Sequence, residues 1–217
     1  MPISTLLLDL DGTLYPNQNG IWDAIAQRMD LYMHEILKMD LAEIPKTRQQ
    51  YYQKYGTTLR GLQENYHIDP LPYLAYVHDI SMKDFLQPDP ELNSILENLP
   101  QEKWIFTNSD QAHARRVLSA LSIEHHFKGI IDIIKMEFNN KPNPLVYFKA
   151  LSIAGSPSPN TCLFADDSLK NLMPADEQGI HTVLVGSAQN ILNSHYHIQT
   201  IHELPLVIKA IEKKVNQ

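Results

Sequence analysis

Leu6-Leu7-Leu8 runs directly into Asp9-Leu10-Asp11-Gly12, and this junction constrains the chain more than any other stretch. A short, wholly apolar run marks a strand buried on both faces, which belongs in a parallel sheet covered by helices. The glycine opens a turn at the C-terminal end of that strand, where open α/β sheets bind their ligands. Carboxylates at i and i+2 point the same way while strand geometry lasts. Held close, two like charges repel unless a cation or a shared proton relieves them. Hard oxygen donors so placed suit Mg²⁺. Read alone, the same residues also fit a plain turn, in which Asp and Gly are preferred. A calcium loop is not supported, because the further alternate ligands and the closing Glu are missing.

The rest of the chain repeats the pattern. Buried strands are expected at Lys103 to Phe106, Gly129 to Ile134, Thr161 to Ala165 and His181 to Gly186. Between them lie helical patterns. Asp110 to Leu121 opens on a capping residue and carries Ala112, Val117, Leu118 and Leu121 as an apolar face. Pro144 to Ala154 begins with proline and draws its apolar content from Val146, Phe148, Ala150, Leu151 and Ile153. Ser168 to Gln178 ends at Gly179, and Leu204 to Gln217 closes the chain. Strands alternating with helices predict a three-layer α/β fold around a parallel sheet. The segment 17–87 does not alternate. It reads as helices over Ile21–Lys38, Ile44–Tyr55, Thr57–Tyr66 and Pro70–Val77. The expected organisation is therefore one core of residues 1–16 and 88–217, interrupted by an all-helical module.

Composition narrows the partners. A net charge of −7 disfavours nucleic-acid backbones, which call for a basic face. No apolar run approaches a membrane span and no charged-then-apolar leader is seen, so a cytoplasmic protein without membrane contact is expected. A small anionic substrate stays compatible if a metal and a few cations concentrate charge locally. The single cysteine, Cys162, sits in an apolar run and is expected to be a buried, inert thiol. His125, His126, His195, His197 and His202 lack carboxylate or cysteine partners at ligand spacing, so a histidine metal site is not expected.

Each later strand ends in polar residues. Thr107-Asn108-Ser109-Asp110 places a hydroxyl and an amide just before a helix, a ready anion site, although Ser109 or Asp110 would equally cap that helix. Lys141 lies in Asn140-Lys141-Pro142-Asn143-Pro144, where the prolines stiffen the backbone and its ammonium can neutralise a phosphate. Asp166-Asp167 is a second acidic pair at a strand end, hard to explain by stability because adjacent acids repel. A carboxylate pair, a hydroxyl–amide pair, a lysine and another carboxylate pair suit phosphoryl transfer, where positioning and charge neutralisation dominate.

Asp9-Leu10-Asp11-Gly12-Thr13, Thr107-Asn108, Lys141-Pro142 and Asp166-Asp167 resemble, in order, the four motifs of the haloacid dehalogenase-like hydrolases. The resemblance implies a Rossmann-like core with a helical cap inserted after the first strand. It also implies Asp9 as the nucleophile that takes up phosphorus and Asp11 as general acid and base. Mg²⁺ would sit on the Asp9 carboxylate, the Asp11 main-chain carbonyl and the Asp166/Asp167 pair, while Thr107, Asn108 and Lys141 hold the phosphoryl oxygens. A 2-haloacid dehalogenase is disfavoured, since that chemistry needs neither a metal nor an acid at the position of Asp11. A phosphomutase shares the four motifs, other phosphometabolites such as sugar phosphates fit the same chemistry, and a binding protein that has lost turnover keeps the same scaffold.

The 51–62 stretch, Tyr51-Tyr52-Gln53-Lys54-Tyr55-Gly56-Thr57-Thr58-Leu59-Arg60-Gly61-Leu62, resembles the pyrimidine 5′-nucleotidase branch of that family, as do the Leu-Tyr-Pro ending at residues 14–16 and the Ile105 to Ala114 stretch with His113. That likeness implies a nucleoside 5′-monophosphate substrate, with Tyr55 and Arg60 as substrate contacts. On the residues alone, Tyr51, Tyr52 and Tyr55 serve either to stack on a nucleobase or to pack a helix pair, and Gly56 and Gly61 read as helix terminators.

Overall fold

The computed structural model describes residues 2–17, 20–186 and 196–215. The chain divides into two compact units, Met1–Pro16 with Gln87–Gln217, and Asn17–Leu86. Gln87 falls with the first unit, one residue earlier than the expected boundary.

The first unit is built on a parallel sheet. Its strands are β1 (Thr5–Leu8), β2 (Glu102–Phe106), β3 (Gly129–Ile131), β4 (Cys162–Asp166), β5 (His181–Val185) and β6 (Tyr196–Ile198). Their order is β3-β2-β1-β4-β5-β6, every neighbouring pair being parallel. This is the Rossmann-like α/β architecture, with β1 central and the chain leaving it in opposite directions on its two sides. Leu6, Leu7 and Leu8 are fully buried, as a strand covered on both faces requires. A larger residue is barred at Gly129 in β3, where the Trp104 indole lies 2.6 Å from the place of a Cβ.

β3 is shorter than the expected Gly129–Ile134. The Asp132 carboxylate accepts the Lys135 N–H at 2.9 Å and the Gln111 N–H at 3.0 Å, which bends the chain into a turn and ties it to the next helix. β6 is not among the expected strands. It is a three-residue edge strand whose Tyr and His lack the apolar alternation by which a strand is read.

In this unit the helices are α5 (Pro90–Asn98), α6 (Gln111–Ala120), α7 (Pro144–Ile153), α8 (Leu169–Glu177) and α9 (Leu204–Val215). The second unit holds α1 (Ile21–Glu35), α2 (Ile44–Tyr55), α3 (Thr58–Tyr66) and α4 (Pro70–Val77). Side-chain caps fix several starts: Thr57, Asp69, Asp89, Asp110 and Asn143 each accept a backbone N–H from the first turn. Two helix faces differ from expectation. On α6 Ala112 is exposed and His113 is buried beside Ala114, Val117 and Leu118. On α7 Phe148 is exposed, and Tyr147 is buried in its place against Phe106 and Phe164. In both cases a residue with a polar atom takes the inner face because that atom finds a partner there; the Tyr147 hydroxyl donates to the Asn171 carbonyl at 2.5 Å.

Cys162 is buried in β4, and burial pushes its thiol up to about 11. Among the described residues no helix is long and apolar enough to cross a membrane. His195 lies outside the described residues.

Candidate active site

Strand register assembles the site. Leu8 pairs with Ile105 of β2 and with Ala165 of β4, so one step further along Asp9 stands level with Phe106 and Asp166. The Asp9 N–H still donates to the Ala165 carbonyl at 2.9 Å, holding it in line with the sheet. Gly12, at a φ of +87°, then turns the chain, and the Leu14 N–H closes on the Leu10 carbonyl at 3.0 Å. Thr13 follows that turn and its hydroxyl donates to Asp9 Oδ2 at 3.2 Å.

Lys141 reaches into the same point from the loop after β3. Its ammonium donates to Asp9 Oδ1 at 2.8 Å, Asp166 Oδ2 at 2.7 Å and the Phe106 carbonyl at 2.8 Å, which uses all three protons. The side chain is only 1 % exposed. Burial acts against its charge, but Asp166 and Asp9 outweigh this and raise its pKa, so the lysine stays protonated.

Asn108 does something the motif does not announce. Its carboxamide accepts the Lys141 N–H at 2.8 Å and donates to the Lys141 carbonyl at 3.1 Å, so it grips both ends of that residue's backbone. Thr107 Oγ1 accepts the Ser109 N–H at 3.0 Å and keeps its own proton to donate.

Asp166 is fully buried. Oδ1 accepts the Ser168 N–H at 2.8 Å and Asn171 Nδ2 at 3.0 Å, and Oδ2 accepts Lys141 at 2.7 Å and Asn171 at 3.1 Å. Its neighbour Asp167 is half-buried. Asp9, Asp166 and Asp167 each offer one oxygen, and these oxygens lie within 4.8 Å of one another. Three carboxyl groups gather around one ammonium, so acidic groups are in excess here. Burial first, then Asp166 and Asp167, pushes the Asp9 carboxyl up against the opposing pull of Lys141. An oxygen-only donor set with that acidic excess fits a hard divalent cation such as Mg²⁺.

Asp11 is held separately. Its Oδ1 accepts from the Tyr15 hydroxyl and from His113 Nε2, the latter at 2.8 Å, and its Oδ2 accepts from the Ser109 hydroxyl at 2.8 Å. Burial works against the charge, yet His113 and then Tyr15 and Ser109 hold this carboxyl well below the ordinary carboxylate range. Of the alternatives for residues 109 and 110, Asp110 is the cap and Ser109 faces Asp11. In the sequence His113 and Tyr15 stand only as part of a resemblance. Nothing in their spacing announces the contact, because one arrives through a turn and the other one helical turn into α6.

Tyr55 and Arg60 lie in the other unit. Arg60 pairs with Glu64 one turn along α3 at 2.8 Å, and Lys54 stands 4.7 Å from the Tyr55 ring centre. Tyr51 rests on Gly61, and Tyr52 is exposed. Gly56, at a φ of +83°, ends α2 as expected, whereas Gly61 lies inside α3 and ends nothing.

Comparison with known proteins agrees with this geometry. The family model for haloacid dehalogenase-like hydrolases matches residues 3–177. The chain is 32% identical over 190 residues to phosphate metabolism protein 8 of Saccharomyces cerevisiae, covering 81% of this chain and 59% of that protein. Among solved structures, a haloacid dehalogenase-family phosphatase from Thermococcus onnurineus aligns with a TM-score of 0.69 at 18% identity over 95% of this chain and 98% of its own. The hydrolase YfnB from Bacillus subtilis, solved bound to magnesium, aligns with a TM-score of 0.67 at 18% identity over 96% and 100%. Fold, strand-end chemistry and family match converge, and the chain belongs to the haloacid dehalogenase-like hydrolases.

Proposed function

We propose that this hydrolase is a Mg²⁺-dependent phosphatase that cleaves small phosphomonoesters through an aspartyl-phosphate. The observation that carries the reading is the buried Lys141 ammonium shared by Asp9 and Asp166, with Asp167 close enough to complete a three-carboxylate cluster. A stability role alone explains it poorly, because buried ion pairs rarely add net stability.

Asp9, Asp166 or Asp167 and the Asp11 main-chain carbonyl would hold the cation, which when bound supplies charge neutralisation to the transferring phosphoryl group. Since the four acceptor positions of Asp166 are engaged by Ser168, Asn171 and Lys141, Asp167 is the carboxylate assigned to direct contact. An Asp9 oxygen attacks phosphorus as the bond to the leaving oxygen breaks, and Asp11, ionised in the resting site, passes to that oxygen a proton taken up with the substrate. Asp11 then takes a proton from water, the new hydroxide attacks phosphorus, and the Asp9–phosphorus bond breaks to release phosphate. The Thr107 hydroxyl holds a phosphoryl oxygen, the Lys141 ammonium lends its positive charge from beside Asp9, and Asn108 holds Lys141 in place while offering its main-chain N–H.

As substrate we propose nucleoside 5′-monophosphates, pyrimidine ones foremost, with Tyr55 and Arg60 contributing to the choice. Support comes from the likeness of residues 51–62 to the nucleotidase branch. The test is phosphate release from a panel of nucleotides and sugar phosphates, compared by kcat/KM. Turnover that needs Mg²⁺, stops with EDTA and ranks pyrimidine nucleotides first supports the proposal. Release only in the presence of a sugar bisphosphate activator points to a phosphomutase, and no release at all removes the catalytic reading.

A further inference from the structure

The four-motif chemistry leaves three side chains around Asp11 unexplained. Tyr15 is 4% exposed, His113 is fully buried, and Ser109 comes from the turn before α6. Each is built in by its own backbone. Tyr15 forms a bridge with Asp11 across the Gly12 turn. Ser109 is pinned at its N–H by Thr107 Oγ1 and at its carbonyl by the Ile133 N–H, at 3.0 and 3.1 Å. His113 is carried by α6, whose first turn is fastened by Asp110 and by Asp132. A fully buried histidine in the apolar face of a helix needs compensating partners, and at Nε2 it meets Asp11.

The two oxygens of Asp11 are treated differently. Oδ1 receives two donors, Tyr15 and His113 Nε2, the latter necessarily protonated because a carboxylate brings no proton to the contact. Oδ2 receives one, from Ser109. A serine hydroxyl both donates and accepts, so it can accept from Oδ2 when that oxygen carries a proton and donate to it when it does not. The imidazole at Oδ1 has no such freedom at the same nitrogen.

We infer that Tyr15 and His113 are positioning residues that pin Oδ1 of Asp11, making Oδ2 the oxygen that exchanges a proton with the leaving group and with water. This rests on the proposed role of Asp11 as general acid and base. Neither residue bonds to substrate. Their contribution is orientation, and a misaimed acid costs most where the leaving group needs its proton most.

That dependence supplies the test. Tyr15→Phe, His113→Ala and His113→Gln are prepared, checked for fold by circular dichroism, and assayed with Mg²⁺ on a nucleoside 5′-monophosphate and on p-nitrophenyl phosphate. The nucleoside alkoxide is a poor leaving group and p-nitrophenolate a good one. For the latter the pre-steady-state burst is read, because later water attack also uses Asp11. Tyr15→Phe and His113→Ala are expected to lower kcat on the nucleotide by about 10–100-fold, with KM within about threefold. The loss in the p-nitrophenolate burst is expected to be at least about tenfold smaller. His113→Gln, whose carboxamide can donate near the place of Nε2, is expected to recover most of the loss and also guards against misfolding in the alanine variant. Equal losses on both substrates, a loss in KM alone, or no loss in Tyr15→Phe and His113→Gln with no deficit in His113→Ala overturns the inference. A wild-type protein that releases phosphate from neither substrate overturns the proposed function instead, and the inference falls with it.

Discussion

Two buried lysines stand at opposite ends of the same sheet, Lys103 on a strand and Lys141 on a loop, and their charges are accommodated in different ways. Lys141, at the C-terminal end, is surrounded by Asp9, Asp166 and one carbonyl. Lys103, near the start of β2, is 7% exposed and donates to the Leu99 and Gln101 carbonyls, at 2.6 and 3.0 Å. Burial lowers the Lys103 pKa, whereas the carboxylates raise that of Lys141. Main-chain dipoles are sufficient to seat a charge that only closes the end of α5. At the C-terminal end charge is gathered beyond what seating one lysine needs, and this is the end at which open α/β sheets bind ligands.

The C-terminal end of the sheet is most sensitive at Asp9. Asp9→Asn is expected to lower kcat by at least about 10⁴-fold while circular dichroism stays that of the wild type, since the amide keeps the shape and loses the nucleophile. Retention of near-wild-type turnover would remove the distinction between the two ends of the sheet. Next in size is Lys141→Ala. It leaves Asp9 and Asp166 buried without their shared cation, so the metal-free protein should lose about 3–5 kcal/mol in a denaturant titration, along with its activity.

Addition of Mg²⁺ is expected to offset part of that loss. In the wild type, Mg²⁺ at about a hundred times its Kd should stabilise by about 2.7 kcal/mol, visible as a rise in Tm that EDTA reverses. Asp167→Asn should diminish this rise more than it changes the Tm of the metal-free protein. An undiminished rise would place the cation elsewhere.

Lys103→Met, at the opposite end, is expected to have the smallest effect. About 0–2 kcal/mol of stability should be lost with kcat unchanged within about twofold, because two carbonyls lose a donor and nothing reactive is touched. The sign of its pH dependence is also defined. The folded pKa of Lys103 lies below its unfolded value, so between the two the folded protein binds fewer protons than the unfolded chain. Wild-type stability should therefore gain a rising contribution as pH climbs through that alkaline interval, and Lys103→Met should lack it. Melting temperatures of the two proteins across that interval check the sign.

Such differences also show what a sequence can express. The strand runs and the polar residues that end them are local patterns. β1, β2, β4 and β5 are therefore legible in the residues alone, as is the run of polar residues at the strand ends from which the candidate site is drawn. Their convergence is the work of strand register, which no local pattern encodes. The early end of β3 rests on one carboxylate, Asp132, reaching forward to Lys135 and across to Gln111. β6 is too short and too polar to show a period. His113 escapes apolar periodicity because that pattern ranks histidine below alanine and so gives Ala112 the inner face that His113 takes. The Asn108 amide reads as a ligand in its motif, whereas it is engaged by the backbone of Lys141, 33 residues away.

The Tyr51 ring lies where a side chain at position 61 would begin: an added Cβ would stand 2.2 Å from its Cγ. Residues 51 and 61 thus share one volume between α2 and α3, and neither can grow unless the other shrinks. Among sequences that keep this helical hairpin, the two positions should drift as a pair, a small residue at one licensing a large ring at the other, so that a record of paired change would itself reveal the hairpin.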